Sequence, residues 1–184
     1  MSAGPGPARP GHAGSGTPSG ATRRQSAGIL LYRPGPGGIE VLLGHMGGPM
    51  WARRDAGAWS IPKGGYGTDE DPLAAALREF AEEVGHAVPS TAPVEEFLDL
   101  GEVLQASGKY VRAWAAPGDL DPATASSNTF DVEWPPGSGV LQPFPEIDRV
   151  AWFTPDAARA RIVGAQAAFV DRLVEALAVR DARR

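Results

Sequence analysis

The chain has 184 residues, a formal net charge of −5, no cysteine, and histidine only as His12, His45 and His86. That length suits one domain with a sizeable core, and the missing thiols exclude disulfides, thiolate zinc sites and a cysteine nucleophile. Arg9, Arg23 and Arg24 are unopposed within the first 25 residues, which leaves −8 for the remainder, an acidic body that argues against broad nucleic-acid binding.

Residues 1–25 are rich in Gly, Pro, Ala and Ser and read as a disordered tail ahead of a domain at 26–184. No apolar run approaches the ~20 residues needed to span a bilayer. Ala27 to Tyr32 is too short for a signal-peptide core, and Arg23-Arg24 lacks the hydrophobic run of an export signal. The chain is therefore expected to be soluble and cytoplasmic.

Two apolar runs, Ala27–Tyr32 and Ile39–Leu43, flank the turn-forming Pro34–Gly38 and predict a hairpin. Trp59-Ser60-Ile61 reads as a short third strand and Pro62–Gly67, with one proline and three glycines, as a loop. Asp71-Pro72 then opens a helix, with Asp as cap and Pro at the first helical position. Leu73, Leu77, Phe80 and Val84 form its apolar stripe, and Gly85 ends it. Strands are expected at 98–103, 110–115, 130–134 and 150–153, with loops at 117–128 and 135–145. A short helix follows Thr154-Pro155, and a longer one at about 165–179 presents Phe169, Leu173 and Leu177 on one face. This order predicts an α/β (α+β) fold, a mixed sheet covered by helices on both faces.

Chemistry concentrates on the first helix. At about 100° per residue, Glu79, Glu82 and Glu83 are neighbours at i, i+3 and i+4, on a face expected to lie away from the apolar stripe. Three like charges so placed destabilise a helix by a few tenths of a kcal/mol per pair unless a cation compensates them. Oxygen-only ligands point to Mg²⁺ or Mn²⁺ rather than zinc.

An acidic helix face alone is commonly just a solvated surface, but here it sits within a longer pattern. Gly64, five residues, Glu70, seven residues and Arg78-Glu79-Phe80-Ala81-Glu82-Glu83-Val84-Gly85 match a known motif at every invariant Gly, Glu and Arg position. The chance of such a match at a given start is on the order of 10⁻⁸. The stretch resembles the Nudix box, the signature of hydrolases acting on nucleoside diphosphates linked to another moiety. One position departs, His86 standing where the family usually has an aliphatic residue.

The resemblance implies a Nudix-like α/β/α sandwich. It also implies Glu79, Glu82 and Glu83 as metal ligands, and Glu70 paired with Arg78 to hold the box loop, framed by Gly64 and Gly85, on the helix. The family varies in which acid takes the proton, so Glu79 is the first candidate for the base and Glu146, before the last strand, the second. A metal would neutralise phosphoryl oxygens, lower the pKa of the attacking water and fix in-line geometry.

Lys63, Arg54 and Lys109 are the leading candidates for phosphate contacts, with Arg53 and Arg112 also near the expected cleft in chain order. Trp51, Tyr66 and Tyr110 could stack on a base, whereas Trp59 is expected in the core. A P-loop at 57–64 fails, because Pro62 replaces its second glycine and Gly64 stands where Ser or Thr should hold magnesium.

The run Trp59–Gly64 is similar to the segment preceding the box in diadenosine tetraphosphate and diphosphoinositol polyphosphate hydrolases. A dinucleoside polyphosphate is therefore the expected substrate, with nucleoside triphosphate, ADP-ribose-type or cap-like pyrophosphatase activity and a non-catalytic binding module as alternatives. The expected partner is a small nucleotide, and a homodimer is left open.

Overall fold

The computed structural model describes residues 24–183; the tail expected over residues 1–25 lies almost wholly outside them. Strand β1 (Gln25–Gly35) and strand β2 (Gly38–Met46) form the expected hairpin, turning at Gly37 with φ +84°. Strand β3 (Trp59–Ser60) extends β2 on its far side.

Beyond the first helix come β5 (Leu98–Leu104) and β6 (Tyr110–Pro117). Strand β6 runs parallel to β1, which makes β1 the sheet's centre and the sheet mixed. The order is β3-β2-β1-β6-β5. Strand β4 (Lys63–Gly65) also pairs with β1, and strand β9 (Ile147–Phe153) with β2.

Alternation along β1 divides the interior between two cores. Ala27, Ile29 and Leu31 pack with Ala75, Ala76, Phe80 and Val84 of helix α1 (Pro72–Val84). Leu30 and Tyr32 face the other way, toward Ala158 and Ile162 at helix α2 (Pro155–Arg161) and Phe169, Val170 and Leu173 of helix α3 (Ala167–Asp181). Helices thus cover both faces, as expected. The Asp71 carboxylate accepts from Ala74 N at 2.8 Å, and Gly85 closes α1 at φ +79°, its N–H reaching Ala81 O.

Three local expectations are corrected. Residues 63–65, inside the expected loop, are a strand, because Gly28 on β1 has no side chain to hold them off. A Cβ at Gly28 would collide with the Pro62 carbonyl and stand 2.6 Å from Lys63 Cβ, and Ile29 N donates to Pro62 O at 3.1 Å. Residues 141–145, also expected as loop, are strand β8, paired only with strand β7 (Thr129–Glu133). The buried side of α1 is rotated from the expected stripe, with Ala75 and Ala76 fully buried while Leu73 and Leu77 are partly covered. Small alanines let the helix sit close to β1.

Replacing Gly28 by Ala is expected to cost about 1–3 kcal/mol through forced repacking, read as a lower urea midpoint with an unchanged denaturant slope.

Candidate active site

The rotation of α1 turns two of the three acids inward. Glu79 and Glu83 retain 8% and 9% of their exposure, whereas Glu82 stays on the solvent side. The expectation that all three point away from the core is thereby corrected: two lie along the edge of the buried face, against β4. Glu83 Oε2 accepts the Lys63 backbone N–H at 2.8 Å. The Glu79 carboxylate occupies the space where a Cβ of Gly64 would stand, so that position requires glycine for close approach.

Arg78 ties the acids together. Its Nη1 donates to Glu79 Oε1 at 2.6 Å and lies 3.4 Å from Glu82 Oε2. Its Nε and Nη2 donate to Glu70 Oε1 at 3.1 Å, and Nη2 reaches Gly65 O at 3.3 Å. The residues of the box loop and helix therefore form one ionic network in which a single cationic nitrogen sits between two carboxylates. These partners hold the Arg78 guanidinium even more firmly charged than usual.

Burial pushes the Glu83 carboxyl up to about 7, the charges of Glu146 and Glu79 adding to the effect and Lys63 opposing it through its charge and its backbone N–H. Burial, then the charges of Lys63 and Arg24, push the Lys109 ammonium down, while Glu83 and Glu79 draw it up. Glu83 therefore feels Lys63, Glu79 and Glu146, and Lys109 feels Lys63, Glu79 and Glu83, positions scattered along the chain from 63 to 146. Glu146 itself is exposed, its segment fixed by Glu146 N to Asn128 O and Gly47 N to Glu146 O, both 2.9 Å.

Other expected residues lie apart. The Arg54 guanidinium stands over the Trp51 ring at 5.4 Å, and Arg53 is exposed on the same loop. Arg112 is committed to Asp99 at 2.6 Å. Trp59 belongs to the core, its ring 5.1 Å from that of His45. Trp51 and Lys63 line a cavity of about 280 Å³ together with Met46, Gln105, Val163 and Gln166. Lys109, Tyr66, Glu70 and Arg24 line an open one of about 510 Å³.

Residues that the sequence did not single out support these parts. Fully buried Gln166 accepts from Ile61 N at 3.0 Å and bonds Ser60 Oγ, fixing the start of α3 to the strand before the box. Fully buried His45 places Nδ1 2.9 Å from Asp148 Oδ1 and Nε2 2.8 Å from Arg54 O. It thereby links the Trp51 loop to the segment carrying Glu146. A β-bulge at His45 and Met46 leaves Asp148 unpaired in the ladder, free to turn onto the imidazole. No sequence period marks a bulge or a buried glutamine, because both depend on a distant partner.

A profile of the NUDIX domain matches residues 22–173. The chain belongs to the Nudix family. Solved Nudix-fold structures agree in architecture. A C. elegans Ap4A hydrolase binary complex superposes with TM-score 0.58 at 22% identity, covering 83% of this chain and 98% of that one. The NUDIX domain of Shewanella oneidensis NrtR complexed with ADP ribose gives 0.57 at 15%, covering 85% and 90%. At such identities the likeness shows the fold.

In sequence, this Nudix chain is 47% identical over 55 residues to an RNA pyrophosphohydrolase of Marinomonas sp. (strain MWYL1), 29% of this chain and 33% of the relative. It is 51% identical over 68 residues to an RNA pyrophosphohydrolase of Gluconacetobacter diazotrophicus, 34% of this chain and 36% of the relative. The Nudix chain thus spans about a third of the length of the curated relatives it matches. No helix of the described residues is long and apolar enough to cross a membrane.

The displaced Glu83 carboxyl gives a pH test of the site. Between 4.5, its usual value, and about 7 the folded protein holds a proton that the unfolded chain has released, so stability attributable to Glu83 falls as pH rises through that window. In chelator-treated protein, Glu83→Gln should gain stability relative to the parent between pH 4.5 and pH 7 and hold that gain above it. Urea midpoints at pH 4.5 and pH 8 measure the difference.

Proposed function

We propose that the chain is a divalent-metal-dependent pyrophosphohydrolase acting on a nucleotide with a polyphosphate chain. The observation that carries this reading is the burial of Glu79 and Glu83 against a glycine strand within electrostatic reach of Lys63 and Lys109. Burying two carboxylates is costly, and a perturbed acid such as Glu83, beside a second buried carboxylate and flanked by cations, marks a site built for charged ligands.

The donor chemistry fits a hard cation. Arg78 Nη1 already stands between the Glu79 and Glu82 oxygens as a positive centre. Among the described residues no three acidic or imidazole groups converge as a complete cage, so water and substrate oxygens would have to complete the shell of a bound Mg²⁺ or Mn²⁺ ion. Glu79, Glu82 and Glu83 would hold the ion, which when bound supplies charge neutralisation and an acidified water.

The chain's own groups do the rest. Lys63 and Lys109 attract and orient phosphate oxygens. Gly64 lets the Glu79 carboxylate lie against the β4 backbone, and Glu70 with Arg78 holds loop and helix in register. Glu79 is assigned as the base and Glu146, whose charge reaches Glu83 from the opposite loop, as the alternative. Arg54 can meet the far end of a substrate lying along the Trp51 cavity. We place the enzyme in the cytoplasm.

The substrate is assigned as a dinucleoside polyphosphate, on the strength of the two cavities beside Lys63 and Lys109 and the fold shared with an Ap4A hydrolase. The RNA pyrophosphohydrolases matched over the box region make a 5′-triphosphorylated RNA end the second candidate. Incubation with Mg²⁺ and diadenosine tetraphosphate, ADP-ribose, nucleoside triphosphates or a triphosphorylated oligonucleotide should give nucleotide or diphosphate release from one class, and chelator should abolish it. Glu83→Gln should lower kcat by roughly 10²-fold or more with folding intact, and Lys109→Ala should raise KM about tenfold. Binding across the panel without release would instead make the chain a nucleotide-binding module.

A further inference from the structure

The hairpin of β7 and β8 stands outside the main sheet, and its two faces differ. Directly paired residues of an antiparallel ladder share a face, so Phe130 with Phe144 and Val132 with Gln142 make one side. Asp131 with Pro143 and Glu133 with Leu141 make the other. The Phe130 side turns toward the Trp51 loop, where Phe130 and Val132 enclose a cavity with residues 47–51. Gly48, at φ +88°, lets the ring approach, since a Cβ there would stand 3.3 Å from Phe130 Cζ. None of the residues lining this cavity carries a charge. Phe130 is nevertheless 39% exposed and Met50, across the cavity, 72%, so large apolar side chains are left in water around one hollow.

The hairpin is rooted in the acid site. At its foot Asn128 N donates to Glu82 O at 3.1 Å, and just before it Ser126 N donates to Val84 O at 3.0 Å. Glu83 lines a polar cavity together with Ser127 and Pro145, at the two ends of the hairpin. Gly47 N donates to Glu146 O at 2.9 Å, and a Cβ at Gly47 would collide with the Pro145 carbonyl. The Trp51 loop and the hairpin are therefore packed backbone to backbone. Phe130 lies two residues beyond Asn128, roughly 7 Å of strand from the helix that carries the acids. Trp51 is a wall shared with the cavity that Lys63 lines, so the uncharged hollow continues the site.

We propose that Phe130, Met50 and Trp51 form a slot for a planar, uncharged ring, a nucleobase of the substrate. The proposal rests on the nucleotide reading above and adds to it the element that holds a nucleoside end. A lining without charge would strip water from a phosphate and offer nothing in return, so the phosphate chain stays with the cations and the flat ring enters here. A protein partner would need about 800 Å² of covered surface on each side. The outer face of the hairpin instead sets Asp131 and Glu133 beside Leu141, while Phe130, Met50 and Trp51 converge on a hollow. Every base has a π-face to stack, so the slot distinguishes a nucleotide from bare polyphosphate rather than one base from another.

Phe130→Ala tests the slot, with Phe130→Tyr as the variant that keeps the ring. The probes are a nonhydrolysable, methylene-bridged ATP analogue and inorganic tripolyphosphate, each with Mg²⁺, measured by calorimetry. In Phe130→Ala the Kd for the analogue should rise roughly tenfold, while that for tripolyphosphate stays at the parent value and Phe130→Tyr restores analogue binding. Met50→Ala should weaken the analogue in the same direction. Both side chains are partly exposed, so the thermal midpoint of each variant should stay near that of the parent. KM for whichever nucleotide the parent turns over should rise with the analogue Kd. Selective loss of analogue binding in Phe130→Ala, without turnover of any nucleotide by the parent, would leave the slot standing and remove the hydrolase reading. An unchanged analogue Kd in Phe130→Ala, an equal loss of tripolyphosphate, or no analogue binding by the parent would overturn the slot even if nucleotides are hydrolysed.

Discussion

The close approach of strand β4 to β1 on one side and to α1 on the other is the constraint from which the site follows. Three residues, Lys63 to Gly65, are wedged between a central strand and a helix. The wedge fits only because Gly28 and Gly64 lack side chains where Lys63 Cβ and the Glu79 carboxylate arrive. Once it is in place, the Lys63 N–H has one acceptor, Glu83, and the two inner acids lose most of their water. The raised Glu83 carboxyl is therefore a consequence of backbone packing, with neighbouring charges as secondary contributors.

The same wedge distributes charge across the sheet. Acids of α1 approach β4 from one face, while the Lys63 side chain leaves on the other, against Gly28. Arg78 keeps the carboxylate side from flying apart by spanning Glu70, Glu79 and Glu82, and like charges at such spacing need a compensating cation.

More distant elements hold this arrangement to the rest of the molecule. His45 faces an acceptor at each ring nitrogen, a carbonyl oxygen of the Trp51 loop and the Asp148 carboxylate. Gln166 does the equivalent for α3, bonding the backbone of Ile61 just before the wedge. The box helix and the last helix are thus each fastened to the three-residue strand or its flank, and the Trp51 loop to the segment carrying Glu146.

Local chemistry was enough to determine most of the elements and the family. The Asp71 cap, the Pro72 start and the Gly85 stop are settled within a few residues of chain, and so is the spacing of Glu70, Arg78, Glu79, Glu82 and Glu83 that marks the Nudix box. Tertiary structure alone decided which way α1 is rotated, since that depends on Ala75 and Ala76 fitting against β1, and hence that Glu79 and Glu83 are buried while Glu82 is not. It also turned Lys63–Gly65 from apparent loop into strand, brought Lys109 and Glu146 to the acids, and left Arg54 on Trp51. Spacing along the chain specifies neighbours on one helix, whereas burial and long-range charge depend on partners tens of residues away.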